Sequence, residues 1–121
     1  MPSSDPAEVS LSAIGISGVG SRTILTPKGS ITYQNMDALT TMFNECMSKN
    51  KTEIILDCKA VSFIDSESLE FILRMNDELK KQGGKLKLIN VNEICRDIFI
   101  ATRLVNILYI YEDIHQAIRS G

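Results

Sequence analysis

The stretch AVSFIDSESLEFILRMNDEL, residues 60–79, leaves this chain few ways to fold. Its apolar run Val61-Ser62-Phe63-Ile64 stops at Asp65-Ser66-Glu67-Ser68, and an amphipathic helical pattern begins at once. A strand that hands over directly to a helix sets the Ser66 hydroxyl at a helix N-terminus, beside unpaired backbone N–H groups and the positive end of the helix dipole. Asp65 and Ser66 are both good N-cap types, and Glu67 and Glu70 add the negative charge that a first turn favours. Capping alone accounts for these residues, so a functional role for Ser66 needs further support. On a helical wheel Leu69, Ile72, Leu73 and Leu79 make one stripe, which Phe71 and Met75 widen to about 200°, against the roughly 100° that a surface helix needs. Phe71 and Met75 therefore sit at the margin of the core. There they either pack under a neighbouring element or form an apolar patch beside Ser66 that is open to a partner.

The flanking segments complete an α/β pattern. Residues 1–8 carry two prolines and little to bury, and read as a flexible tail before a domain spanning 9–121. Residues 9–17 alternate weakly as a strand, Gly18-Val19-Gly20 reads as a turn, and residues 21–27 return as a second strand ended by Pro27. The glycines at 15, 18 and 20 imitate a dinucleotide fingerprint, but the residues after Gly20 are strand-like where that motif needs a helix. Asn35 or Thr32 caps a helix over 36–49, whose apolar face is Met36, Leu39, Met42, Phe43, Cys46 and Met47. Ile54-Ile55-Leu56, within 52–57, suits a strand buried on both faces. Asp57 closes that strand, on the rim where open α/β sheets keep their working residues, and there it is expected to join Asp65 and Ser66. Gly83-Gly84 ends the central helix, and residues 85–90 alternate as a strand. Lys80, Lys81, Lys85 and Lys87 read as a solvated edge. Asn92 caps a helix to about residue 104, with Ile94, Cys95, Ile98, Phe99 and Thr102 inward. Residues 106–111 make a last strand, and 112–119 a closing helix with Ile114, Ala117 and Ile118 inward and His115, the only histidine, outside. The order ββαβαβαβα defines a single α/β domain with a mixed central sheet covered by helices.

Bulk properties exclude several classes. Thirteen basic against fifteen acidic residues give a charge of −2, with no clustered basic excess for a nucleic-acid partner. No apolar run is long enough to span a bilayer, and the first residues lack the features of a secretory signal. Cys46, Cys58 and Cys95 are an odd number without metal-ligand spacing, which suits buried thiols in a reducing compartment, the cytoplasm. Asp57 and Asp65 raise an acid–base pair or a Mg²⁺ site, yet no phosphate-cradling loop or nucleophile–base pair accompanies them. The sequence therefore implies no cofactor or metal site.

The run Asp57-Cys58-Lys59-Ala60-Val61-Ser62-Phe63-Ile64-Asp65-Ser66-Glu67-Ser68-Leu69 resembles the signature stretch of the STAS family, the anti-sigma factor antagonists. The likeness extends back to Gly29-Ser30-Ile31 and forward through Gly83-Gly84. Three positions depart from the family pattern: Glu67 replaces Ser or Thr, Ser68 replaces Gly, and Thr32 replaces an Asp. The resemblance implies a non-enzymatic binding domain with a STAS-like fold. Its partner would be an anti-sigma factor with serine kinase activity, bound while Ser66 is unphosphorylated and released once Ser66 is phosphorylated. ATP and Mg²⁺ would belong to the kinase. The implied contact surface comprises Ser30, Thr32, Asp57, Asp65, Ser66, Glu67 and Ser68, with Phe71 and Met75 as its apolar part and Ser68 as a second possible acceptor. A non-switching STAS scaffold, of the stressosome or lipid-transport kind, is the alternative; a small enzyme using Asp57 and Asp65 is more remote.

Overall fold

A computed structural model describes residues 14–19, 22–34, 36–50 and 53–120. The expected tail over 1–8, the start of the first strand and the cap at Asn35 lie outside these residues. Five strands form one sheet in sequence order: β1 (Ile14–Val19), β2 (Arg22–Pro27), β3 (Glu53–Asp57), β4 (Lys85–Ile89) and β5 (Tyr109–Tyr111). β1 runs antiparallel to β2, and β2 through β5 run parallel. Gly18 and Val19, expected in a turn, instead pair with Thr23 and Arg22 in the β1–β2 ladder, and Gly20 lies outside the described residues.

Each parallel step needs a crossover. Helices α1 (Met36–Ser48), α2 (Ser66–Lys81) and α3 (Glu93–Ala101) supply the three crossovers, and α4 (Ile114–Arg119) closes the described chain. Strand alternation then sorts the residues. Leu25, Ile54, Leu56, Leu86 and Leu88 pack with Phe43, Phe71, Ile72, Cys95 and Phe99 in the main core, so α1, α2 and α3 share one face of the sheet. Ile55, Ile89 and Ala117, with Ile24, Tyr111 and Ile114, make a smaller cluster under α4 on the other face. β3 is the middle strand and is buried on both sides, as its apolar run requires.

The lysine edge is corrected at one position. Lys87 is fully buried, because β5 covers β4 and α4 lies across it. Its Nζ donates to the Ala117 carbonyl at 2.6 Å and pairs with Glu53 Oε2 at 2.7 Å, while Arg22 Nε meets Glu53 Oε1 at 3.3 Å. A buried ammonium is tolerated only with such partners. α3 is also shorter than its pattern suggests. Thr102 is its C-cap, Arg103 turns into the left-handed region at φ 65°, and a 3-10 turn, Leu104–Asn106, comes next. Cys95 and Phe99 face inward as expected, whereas Ile94, Thr102 and, on α4, Ile118 are exposed. The last strand shrinks to three residues for the same reason. His115 lies outside, as expected.

Candidate functional site

Asp65 organises the site. As N-cap of α2 it takes an extended backbone, its Oδ1 accepts from Ser68 N at 2.9 Å, and its carbonyl accepts from Leu69 N at 3.0 Å. The second carboxylate oxygen, Oδ2, accepts from Tyr33 N at 2.9 Å, across from the β2–α1 loop. One carboxylate thus caps a helix and holds a neighbouring loop. Its pKa is lowered: burial raises it, but the nearby Ser68 hydroxyl and the N–H donors of Tyr33 and Ser68 outweigh that. The Ser68 hydroxyl lies close to the carboxylate yet makes no hydrogen bond of good geometry.

The two loops are zipped together before they reach Asp65. Ile31 and Ile64 form an isolated parallel bridge, with Ile31 N donating to Phe63 O at 3.0 Å and Asp65 N to Ile31 O at 3.2 Å. Ser30 Oγ and Ser62 Oγ lie 2.9 Å apart, one donating to the other. Ile31 and Ile64 point into the core. Their outward neighbours are therefore Ser30 and Thr32 on one loop and Phe63 and Asp65 on the other. Residues 61–64 make only this single bridge, so the strand expected before Ser66 is an extended loop, the true strand having ended at Asp57.

Ser66 is the first residue of α2 and is exposed, as is Glu67. Of the four first-turn donors, Asp65 N donates to Ile31 O and Ser68 N to the Asp65 carboxylate, and Ser66 sits between them at the positive end of the helix dipole. Glu70, one helical turn on, lies on the same side and is also exposed.

Four of the expected contact residues are not at this surface. Ser68 is fully buried, which rules it out as an accessible phosphoacceptor. Phe71 is 1% exposed and Met75 6% exposed, so the apolar patch drawn from the helical wheel does not exist. The extra width of the apolar arc is met by α1, whose Phe43 ring stands edge-on to Phe71 at 5.7 Å and 70°. Asp57 is buried too and faces the α4 side of the sheet. Its Oδ1 accepts from Lys59 N at 3.1 Å and Asn90 Nδ2 at 3.0 Å, and Lys59 Nζ lies 3.7 Å from Oδ2. It ties the ends of β3 and β4, with Asn90 in the left-handed region at φ 57°. The cysteines are buried, and burial pushes the thiols of Cys58 and Cys95 up. No group of three or more potential metal ligands occurs among the described residues.

What the sequence reading missed is aromatic. Tyr33 is 60% exposed and Phe63 48% exposed, on the two zipped loops. Phe63 sits in the apolar run 61–64, of which Val61 and Ile64 are the buried members.

The α/β sheet thus carries an exposed serine, Ser66, in the first turn of α2 on the carboxyl rim of its parallel strands, beside the capping carboxylate of Asp65. The STAS domain family model matches residues 11–117, and the chain belongs to the STAS domain family. A candidate anti-sigma factor antagonist from Thermotoga maritima is 30% identical over 95 residues, covering 78% of this chain and 84% of that protein. The crystal structure of a candidate anti-sigma factor antagonist from Thermotoga maritima superposes with a TM-score of 0.85 at 26% identity, over 92% of this chain and 96% of that one. The phosphorylated form of SpoIIAA, a Bacillus cell fate determinant, shares the fold at 18% identity, with a TM-score of 0.69 over 90% of this chain and all of that one. Domains of this class act by binding and are not enzymes. No described helix is long and apolar enough to cross a membrane.

Proposed function

We propose that this chain is an anti-sigma factor antagonist that docks on a kinase-type anti-sigma factor in the cytoplasm while Ser66 is unmodified and lets go once Ser66 is phosphorylated. The observation that carries this reading is the exposed hydroxyl at the first position of α2, beside a carboxylate already engaged by Tyr33 and Ser68. A phosphoryl group adds about −1.5 to −2 charges. It lands where first-turn N–H groups and the helix dipole tolerate it, so the domain stays folded. The surroundings are already acidic at Asp65, Glu67 and Glu70, and a partner surface fitted to a neutral hydroxyl there loses its fit. Release needs only a few kcal/mol, since each 1.4 kcal/mol is about tenfold in affinity. The docking surface comprises Ser30, Thr32, Asp65, Ser66 and Glu67, without Asp57, Ser68, Phe71 or Met75.

The test is incubation with ATP, Mg²⁺ and purified kinase-type anti-sigma factors from the same genome, with mass spectrometry and binding measurements as the readouts. Phosphate on Ser66, with affinity falling as it accumulates, is the expected result. Tight binding with no phosphate transfer supports the non-switching scaffold, for which the permanent charge of Glu67 beside Ser66 speaks. Ser66→Asp is expected to weaken binding while leaving the thermal midpoint nearly unchanged.

A further inference from the structure

Among the exposed large apolar side chains of the described residues two are aromatic, Tyr33 and Phe63, and the others, Ile94, Ile100, Val105, Ile107 and Ile118, are aliphatic. Tyr33 and Phe63 stand on adjacent loops at the carboxyl end of the parallel strands, joined through the Ile31–Ile64 bridge, and both are about half exposed or more. A large aromatic side chain left in water on a binding domain marks an interaction site more often than a lone aliphatic does. Both backbones are also held. Tyr33 N is anchored on Asp65, Phe63 O accepts from Ile31 N, and the hydroxyls of Ser30 and Ser62 clip the loops below them. Little backbone freedom is left to lose on docking, and that is the condition under which a few aromatic groups carry most of an interface.

The surrounding charge selects the occupant. Asp37 in the first turn of α1, Glu67 and Glu70 in α2 and Glu93 in α3 are all exposed at this end, together with the half-exposed Asp65. Cations at this end are fewer: Lys28, exposed on the β2–α1 loop, Arg96 in α3, and Lys59, which lies 3.7 Å from Asp57, so the balance stays acidic. A second copy of this chain would bring acid against acid, and a nucleic acid or an anionic membrane would be repelled in the same way. We infer that Tyr33 and Phe63 are the two affinity anchors of the Ser66 surface, inserted into apolar hollows of a protein partner whose rim around them is basic. The inference rests on the proposed docking reading and names the chemistry of its partner. The aromatic pair sets how long the complex lasts, and the acidic rim sets how fast it forms.

The experiment uses the full chain and the purified kinase-type anti-sigma factor that binds it most tightly, by surface-immobilised kinetics. Tyr33→Ala and Phe63→Ala are each expected to weaken affinity by about thirtyfold, almost wholly as faster dissociation. Glu67→Gln with Glu70→Gln is expected to slow association and flatten its salt dependence. Ile107→Ala removes an exposed apolar side chain at the opposite end of the sheet, and is expected to bind as the parent does. Thermal midpoints of all variants are read alongside, and a parental value for Tyr33→Ala ties its loss to the interface. Affinities within twofold of the parent for both aromatic variants overturn the inference and leave the docking reading standing. So does a parent chain that self-associates and becomes monomeric on Tyr33→Ala with partner affinity intact. A parent chain that binds none of the anti-sigma factors overturns both.

Discussion

Replacing Asp65 by Asn separates the two jobs of its carboxylate. Both Oδ atoms accept backbone N–H donors at 2.9 Å, Oδ1 from Ser68 and Oδ2 from Tyr33. An amide of the same shape keeps one oxygen, so it can cap α2 or hold the Tyr33 loop, but its NH₂ opposes the other donor. Asparagine is as good an N-cap as aspartate, so the cap is kept and the loop is lost. For Asp65→Ala both go: the cap contributes about 1 kcal/mol, and the second hydrogen bond about 0.5–1 kcal/mol after allowing for its partial exposure. Asp65→Ala is then expected to cost about 2 kcal/mol, and Asp65→Asn about half of that. The assay is urea unfolding near pH 7, paired with amide hydrogen exchange at Tyr33 and Ser68. In the Asn variant Tyr33 exchange accelerates while Ser68 exchange holds; in the Ala variant both accelerate. The pH dependence has a definite sign. The folded pKa of Asp65 lies below its ordinary value, so its contribution is complete above about pH 4 and is lost as pH falls through the folded value. The parent's advantage over the Asn variant should therefore shrink in acid. If Tyr33 exchange is equal in parent and Asn variant at neutral pH, Asp65 does not hold that loop and the account of the site is wrong.

Three further changes test the packing. Phe71→Ala removes a fully buried ring and its edge-on contact with Phe43, and is expected to cost about 3–5 kcal/mol in urea unfolding. Lys87→Met leaves the Ala117 carbonyl without its donor and Glu53 with only Arg22, and is expected to cost about 3 kcal/mol; adding Glu53→Leu should restore part of it, measured as a double-mutant cycle. Asn76, fully buried in α2 with both amide atoms unpartnered, should give a more stable protein as Asn76→Leu, by about 1 kcal/mol, read as a higher urea midpoint.

Local rules carried the sequence reading wherever a residue's state depends on its chain neighbours. Asp65 caps α2 and Asn92 caps α3 because an N-cap reaches only the third residue on. Gly83 ends α2 at φ 77° because a left-handed turn favours glycine. Ile54-Ile55-Leu56 is central because only burial on both faces suits three consecutive apolar side chains. The order of elements, and with it the sheet, came from these.

The third dimension decided what lies against each element. A helical wheel measures how wide an apolar arc is, and α1 decided that Phe71 and Met75 are covered. Alternation in β4 marks Lys87 as outward from one face, and α4 made that face an interior where the ammonium finds Glu53 and a carbonyl. Phe63 belongs to an apolar run, yet the bridge between Ile31 and Ile64 turns it out on the loop beside that of Tyr33. Ser66 was visible from its own neighbourhood; its aromatic frame was not, because that frame joins loops some thirty residues apart through hydrogen bonds that no sequence spacing encodes.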